Sequence, residues 1–152
     1  MAKAPRYDGL SADVPLRDAA RIILRALYGA AMECAPGVLR GDDTRAVHDM
    51  RVAIRRLRSG LTTFGGCFPA RKARAMRHAT RRIGRKLGLV RDADVHLAAL
   101  RGTLGGASAS ERPGLIHAVE LLLARRRAAL AEFAIELSQL DRSLFERILA
   151  DG

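Results

Sequence analysis

The chain has 152 residues, 49% of them hydrophobic and 28% charged, which fits one globular domain and excludes a disordered chain. Aromatic residues make up only 4% of the chain, so the expected core is rich in Ala and Leu, as in packed helices. The net charge is +11, with 24 Arg against 3 Lys, and such an excess indicates a polyanionic partner or an anionic surface.

The sequence lacks the features of a secreted or membrane-spanning chain. Residues 1–10 contain no apolar run typical of a signal peptide, and nowhere do 18 apolar residues follow one another. Cys34 and Cys67 follow neither a metal-ligand spacing nor a disulfide framework, and we interpret them as small core residues. We therefore predict a cytoplasmic protein with no membrane partner.

Proline, glycine and N-cap residues divide the chain into helices, and no segment alternates apolar and polar residues for long enough to predict a strand. We expect a tail over residues 1–14 and one helical domain over residues 15–152. The predicted helices cover about residues 15–35, 44–64, 70–87, 92–103 and 112–138, with a short helix after residue 141. Ser108 and Glu111 have the spacing of a capping box before the fifth helix. The predicted fold class is all-α, an antiparallel bundle of about five to six helices.

The charge excess is confined to the middle third of the chain. Residues 43–91 carry 14 basic and 2 acidic groups, whereas residues 1–42 have a net charge of +1 and residues 92–152 a net charge of −2. A charge that served solubility alone would be spread along the chain. We therefore expect a localised anion-binding site.

The second predicted helix carries an apolar stripe and a basic stripe on opposite sides. At about 100° per residue, apolar residues such as Met50 and Ile54 gather on one side of the helix. The other side carries one histidine and three arginines, namely His48, Arg51, Arg55 and Arg58. Like charges three and four residues apart repel one another, and no carboxylate on this stripe offsets them.

The third predicted helix repeats the arrangement, with Met76 and Ile83 on its apolar side. Its basic stripe consists of Arg74, Arg77, Arg81 and Arg85. If both apolar stripes enter one bundle, the two basic stripes flank a shared groove. The alternative is a pair of solvated helix faces, but such faces normally mix charges of both signs.

Two segments carry the motifs of a known family. Residues 47–58 (VHDMRVAIRRLR), followed by Leu61 and Phe64, resemble the first signature of the CHAD domain, the conserved histidine α-helical domain. Residues 87–95 (LGLVRDADV) resemble the second signature of that family. The likeness covers about residues 15–150.

The resemblance implies a helical protein that binds inorganic polyphosphate in a basic groove and catalyses no reaction. It also implies association with polyphosphate granules and with triphosphate tunnel enzymes of the CYTH type. The residues that match the two signatures are His48, Arg51, Arg55 and Arg58 in the first, and Arg91, Asp92 and Asp94 in the second. The arginines of the third helix are candidates from their helical spacing alone.

The chain departs from the family in having one copy of the histidine–arginine helix. The resemblance implies two helical halves related by a pseudo-twofold axis, so we expect this chain to be one such half, either a natural half-domain or a fragment of a longer protein. A homodimer would restore the second half, since a twofold interface lets one patch serve both partners. The apolar residues of the first and fifth predicted helices are the expected contact surfaces.

Asp92 and Asp94 allow two interpretations. They could hold Mg²⁺ beside a phosphate, because carboxylate oxygens suit this hard cation. Alternatively, Asp92 pairs with a nearby arginine and Asp94 caps the fourth predicted helix, which their position favours. Arg126 falls within the apolar stripe of the fifth helix, and it either extends its charge to solvent or reaches the groove.

The leading functional hypothesis is a polyphosphate-binding module, and the alternative is a helical nucleic-acid-binding protein. The basic segments lack aromatic residues for base stacking, which disfavours nucleic acid. The sequence offers no nucleophile with a base, no metal-ligand cluster and no phosphate-cradling glycine motif. We therefore predict a protein that is not an enzyme and that carries no cofactor and no metal.

Overall fold

The computed structural model describes residues 5–149, and every regular element in that range is helical. Residues 1–4 of the predicted tail and residues 150–152 of the predicted domain lie outside this range. The helices are α1 (Leu16–Arg40), α2 (Thr44–Phe64), a 3₁₀ helix (Gly65–Cys67), α3 (Ala70–Gly106), α4 (Arg112–Ser138) and α5 (Arg142–Leu149). The prediction of an all-α helical bundle is confirmed.

The helices follow one another through the bundle in chain order. α1 contacts α2, α2 contacts α3 and α3 contacts α4, while the short α5 closes against α1 and α3. The core has two parts, which include Met50, Ile54, Leu87, Val90 and Phe133 at one end, and Leu24, Leu57, Leu61, Met76 and Phe145 at the other. The α2–α3 pair contributes to both parts, so its relative position is held along most of the length of α2.

The end of α1 differs from the prediction. A stop before Pro36 was expected, but α1 continues to Arg40 with Pro36 inside the helix. Proline removes one backbone hydrogen bond, yet Ala35 and Val38 are buried on either side of it and hold the chain in helical register. α1 ends at Gly41, whose φ of 80° is the left-handed conformation that glycine adopts without strain.

The predicted break between the third and fourth helices is also wrong, because α3 runs without interruption from Ala70 to Gly106. Gly84 and Gly88 serve close approach to α2 instead. A Cβ atom on Gly84 would lie 3.2 Å from Ile54 Cγ2, and one on Gly88 would lie 3.2 Å from Arg51 Nη1. Buried residues continue beyond Gly88, at Val90 for example, so burial maintains the helix where glycine alone would weaken it.

α4 begins and ends as predicted, at Arg112 and Ser138. Before it, Glu111 accepts a hydrogen bond from the Ser108 backbone N–H at 2.9 Å, which is one half of the expected capping box. Between Leu97 on α3 and Ala129 on α4, no residue is buried. Residues 98–128 therefore form a helical hairpin that extends beyond the core.

Within residues 5–149, α1 alone is long and apolar enough to cross a membrane by length and composition. One third, 33%, of its most apolar stretch is buried, and its buried residues include Leu24 and Leu27. A Cβ atom on Gly60 of α2 would lie 2.9 Å from both of these leucine side chains, so α1 approaches α2 closely here.

Both cysteines carry free thiols and are half-buried against the core. The Cys34 Sγ–H donates to the Ala30 carbonyl at 3.3 Å. Burial raises the pKa of the Cys34 thiol, and the Asp49 and Glu33 carboxylates raise it further. The interpretation of the cysteines as small core residues is therefore correct only in part, because both pack against the core from its boundary and neither is fully buried.

Candidate anion-binding groove

Two adjoining cavities follow the line where α2 meets α3. The first, of about 220 Å³, is lined by His48, Arg51, Val52, Ile54, Arg55, Arg58, Gly84 and Leu87. The second, of about 370 Å³, is lined by Arg55, Arg58, Ser59, Thr62, Arg77 and Arg81. Arg55 and Arg58 belong to both cavities, so the two form one surface, which we name the α2–α3 groove. The structure thus brings together His48 and five of the predicted arginines.

The start of α2 sets which of its residues face the groove. The Asp43 carboxylate accepts hydrogen bonds from the backbone N–H groups of Arg45 at 2.8 Å and Ala46 at 3.1 Å. This N-cap fixes the beginning of the helix. From there, the apolar positions such as Val47 and Met50 enter the core, and the histidine–arginine stripe is left exposed as the sequence predicts.

Glycines on the neighbouring segments make room for two of the guanidinium groups. Arg51 lies over Gly88, where the missing side chain leaves space for Nη1. Arg77 lies over Gly65 at the end of α2 and is half-buried there, with Nη1 3.5 Å from the Leu61 carbonyl oxygen. These two arginines are therefore positioned by backbone geometry as well as by helical phase.

The cations of α3 divide into paired and unpaired groups according to the face on which they lie. On the face towards α4, Arg82 Nε is 2.8 Å from Glu136 Oε1, and Lys86 Nζ is 2.6 Å from Glu132 Oε2. On the groove side no carboxylate of the described chain forms an ion pair with the lining cations, which are His48, Arg51, Arg55, Arg58, Arg77 and Arg81. The positive charge of the groove is therefore uncompensated.

Three predicted site residues lie outside the groove. Arg74 and Arg85 are exposed on α3 and line neither cavity. Arg91 lines a separate cavity of about 590 Å³, where α3 passes the turn between α1 and α2, together with Arg101 and Arg126. The helical phase of α3 identified a basic face, but the position of α2 against that face decides which arginines share the groove.

Asp94 and Arg126 form a contact that the sequence did not predict. Arg126 Nε donates to Asp94 Oδ1 at 2.6 Å, and Arg126 Nη1 donates to the Gly41 carbonyl oxygen at 2.6 Å. Asp94 lies in the middle of α3, so the expectation that it caps a helix is wrong. Arg126 neither extends to solvent nor enters the groove, because its charge is neutralised inside the bundle.

The two aspartates do not lie on one face of α3. Asp92 is exposed and forms no ion pair with any residue between 5 and 149, so the expected pairing with an arginine is wrong. Asp94 is buried, and its Oδ2 has no hydrogen-bond partner. Residues two apart on a helix point about 200° away from each other, which prevents both carboxylates from reaching one Mg²⁺. In the described chain, His, Cys, Asp and Glu form no group of three or more that could hold a metal ion.

The groove also includes one small residue and two hydroxyl-bearing residues that were not among the predicted site residues. Gly84 forms part of the groove floor, and Ser59 and Thr62 supply hydroxyl groups beside the arginines. Both of these hydroxyl residues are exposed on the arginine side of α2. Their position on the helix was the available signal, although Ser and Thr are too common on solvated faces for that signal to stand alone.

Comparison with protein families gives a match across this region. A model of the CHAD domain matches residues 21–151, which include both cavities of the groove and the Asp94–Arg126 pair. A comparison with curated proteins finds no match to the chain.

Proposed function

The chain belongs to the CHAD domain family, known for polyphosphate binding, and on this basis we propose that it binds inorganic polyphosphate in the α2–α3 groove without catalysing a reaction. The observation that carries the proposal is the groove itself. Among residues 5–149, six cationic or proton-binding side chains line it and no acidic residue does.

The chemistry of the lining suits a chain of closely spaced phosphates. A guanidinium group presents parallel N–H donors that take two oxygens at once, which a lysine ammonium group does not do. From His48 to Thr62 the α2 side of the groove extends about 21 Å, at about 1.5 Å per residue. This length accommodates several consecutive phosphates of a flexible polyanion.

Arg74, Arg85 and Arg91 are proposed as secondary contacts. Arg74 and Arg85 are exposed on the same helix as Arg77 and Arg81, so they meet a polyphosphate chain only where it leaves the groove. Arg91 would contact the chain beyond the His48 end. Replacing any one of these three should weaken binding less than replacing a groove arginine.

Nucleic acid is the alternative partner, because its phosphates would be attracted by the same charge. The groove contains no Phe, Tyr or Trp on which a base could stack. We therefore favour a polyanion without bases.

A competition titration separates these partners. Labelled polyphosphate is displaced by unlabelled polyphosphate, double-stranded DNA or RNA, all at equal phosphate concentration and at one physiological salt concentration. We expect polyphosphate to compete best. Stronger competition by either nucleic acid would contradict the proposal.

A double charge reversal tests the location. Arg51→Glu with Arg55→Glu should abolish binding and leave helicity and unfolding largely unchanged, since both side chains are exposed. The matched control is Arg17→Glu with Arg127→Glu, which changes the net charge equally at exposed positions outside the groove. Equal loss of binding in both double variants would mean that overall charge, and not the groove, binds the anion.

Cellular partners follow from the same proposal. We propose that the protein resides in the cytoplasm on polyphosphate granules and that it associates there with a CYTH-type triphosphate tunnel enzyme. A fluorescent fusion should lose its granule localisation in the Arg51→Glu/Arg55→Glu variant. Incubation of the purified protein with polyphosphate should leave the chain length of the polymer unchanged, and shortening would overturn the non-catalytic assignment.

A further inference from the structure

α4 is apolar on two opposite faces. Its inner face, which includes Phe133 and Leu137, fills the core. The opposite face, which we name the outer face of α4, is formed by Leu121, Ala124, Ala128, Ala131 and Ile135. All five residues are exposed, with Leu121 at 51% and Ile135 at 57% of their maximal accessible surface.

The spacing of this outer face is regular. Its members follow one another at intervals of three, four, three and four residues, and Ser138 continues the series. This 3.5-residue period is the pattern by which two helices pack along a common seam. The three central positions are alanines, which allow two helix backbones to approach closely.

We propose that the outer face of α4 binds the α4 of a second copy of this chain in an antiparallel, twofold-symmetric helix pair. In such a pair, the first apolar position of one heptad faces the second apolar position of the other helix. The large residues then face small ones, with Leu121 opposite Ser138 and Ile135 opposite Ala124. Ala128 faces Ala131 near the centre.

Charge complementarity selects this register. Arg125 and Glu132 are exposed on one flank of the outer face, and the register places Arg125 of each copy beside Glu132 of the other. Displacement by one heptad in either direction brings Arg125 opposite itself or Glu132 opposite itself, and both arrangements are repulsive. Lys86 Nζ donates a hydrogen bond to Glu132 Oε2 at 2.6 Å, and the other carboxylate oxygen of Glu132 can accept from Arg125 of the second copy.

Two copies of this chain pair more favourably through α4 than through the basic helices α2 and α3, because the charge of α4 is nearly balanced. α4 contains four Arg and three Glu, whereas residues 43–91 have a net charge of +12. No residue of α4 lines the α2–α3 groove, so the pair leaves both grooves open. One helix from each partner forms an interface below the size of about 1,200 Å² that is typical of stable complexes, so we expect a dimer that dissociates on dilution.

Sedimentation velocity over a range of micromolar protein concentrations, without polyphosphate, tests the inference. The wild-type chain should shift from monomer to dimer as its concentration rises, and Ala128→Glu should remain monomeric. The matched control, Ala99→Glu, makes the same change at an exposed position of α3 and should still dimerise. A wild-type monomer throughout, or a dimer that survives Ala128→Glu, would overturn the proposal.

A charge exchange tests the register separately. Arg125→Glu alone should weaken the dimer, and Arg125→Glu combined with Glu132→Arg should restore it, because the pairs re-form with reversed sign. In this register residue 127 faces Ala134 of the other copy, so Arg127→Glu should have little effect on dimer formation. No weakening by Arg125→Glu, or no rescue by the double variant, would overturn the antiparallel register. Since polyphosphate is absent, these outcomes do not depend on whether the groove binds it.

Discussion

Asp94 and Arg126 tie three parts of the molecule together at the level of single residues. The pair is nearly inaccessible, with side-chain exposures of 2% for Asp94 and 13% for Arg126, and Arg126 also holds the Gly41 carbonyl oxygen. Replacing both partners of a buried ion pair by apolar residues changes the stability of a protein little. Removing one partner destabilises it strongly, because the other charge stays buried without compensation. Its role is therefore expected to be structural.

Asp94→Asn should lower the free energy of unfolding by about 3 kcal/mol, because it leaves the Arg126 charge buried without a counter-charge. Urea unfolding followed by circular dichroism measures the change. Asp92→Asn is the control, since Asp92 is exposed and should change stability by less than about 0.5 kcal/mol. An equal effect of both substitutions would show that the pair does not hold the fold.

Imidazole is the side chain type whose charge can change between about pH 5 and pH 8. His48 is the imidazole that lines the groove, where the other ionisable groups are arginines. A bound polyanion favours the protonated imidazole, so protons and polyphosphate should bind together. Affinity is therefore predicted to rise as the pH falls from about 7.5 to about 6. Titrations at several pH values check this.

The His48→Gln variant isolates the contribution of that residue to the pH dependence. It should lose most of the pH dependence that remains after correction for the titration of polyphosphate itself. His117→Gln, at an exposed position on α4, should keep the wild-type profile. An unchanged profile in His48→Gln would show that His48 is not the proton-binding group.

At the level of elements, α3 brings its basic face to α2 by means of glycines. At Gly88, alanine would favour the stability of the helix, whereas glycine leaves the space that Arg51 needs for the proposed anion binding. Alanine is favoured over glycine in a helix by about 1 kcal/mol, and the nearest obstacle to its Cβ is the flexible end of Arg51, at 3.2 Å. Gly84 differs, because there the obstacle is the buried side chain of Ile54.

Gly88→Ala is therefore predicted to raise the free energy of unfolding by up to about 1 kcal/mol and to weaken polyphosphate binding several-fold by displacing Arg51. Urea unfolding and titration on the same preparation measure the two effects. Gly102→Ala serves as a control for helix propensity alone, because nothing lies within 4 Å of a Cβ atom there. Unchanged affinity in Gly88→Ala would contradict the positioning of Arg51 by this glycine.

The sequence predicted the elements whose ends depend on local chemistry. Asp43 caps α2 and Gly65 follows its last residue, and the predicted range of residues 44–64 matches the structure. The predicted ends of α1 before Pro36 and of the third helix before Gly88 are wrong. Burial on both sides of each of these residues outweighs its local preference to end a helix. The contact of Asp94 with Arg126 joins positions 32 residues apart, and no helical period reveals such a pair.

In the groove too, the period of one helix determines which residues share a face, and the neighbouring helix determines which of these residues line the site. Helical phase placed Arg51 and Arg55 on one face of α2 correctly. It could not separate Arg77 and Arg81, which line the groove, from Arg74 and Arg85, which do not. That separation depends on where α2 crosses α3, which is a property of the assembled bundle.

At the scale of the whole molecule, the groove predicts the response to salt. Binding a polyanion releases its condensed counterions. The logarithm of the binding constant therefore falls with the logarithm of the salt concentration, with a slope of about −0.7 for each phosphate contacted on a single strand. With contacts from the five lining arginines the slope should be about −3.5, and Arg51→Ala with Arg55→Ala should reduce its magnitude by about 1.4. Titrations at four or more salt concentrations give the slope. A flat response would exclude binding through the groove.

The unpaired cations of the groove also affect the energetics of the free protein. Arg51, Arg55 and Arg58 lie three and four residues apart, so each repels its neighbours in the folded state more than in an extended chain. A single carboxylate among them would relieve this repulsion and would also compete with an incoming anion. Under the proposed function, the groove therefore reflects a compromise in which folding stability is reduced to keep the anion site accessible. An anion that binds only the folded chain returns that stability, so the protein is most resistant to unfolding when it is occupied.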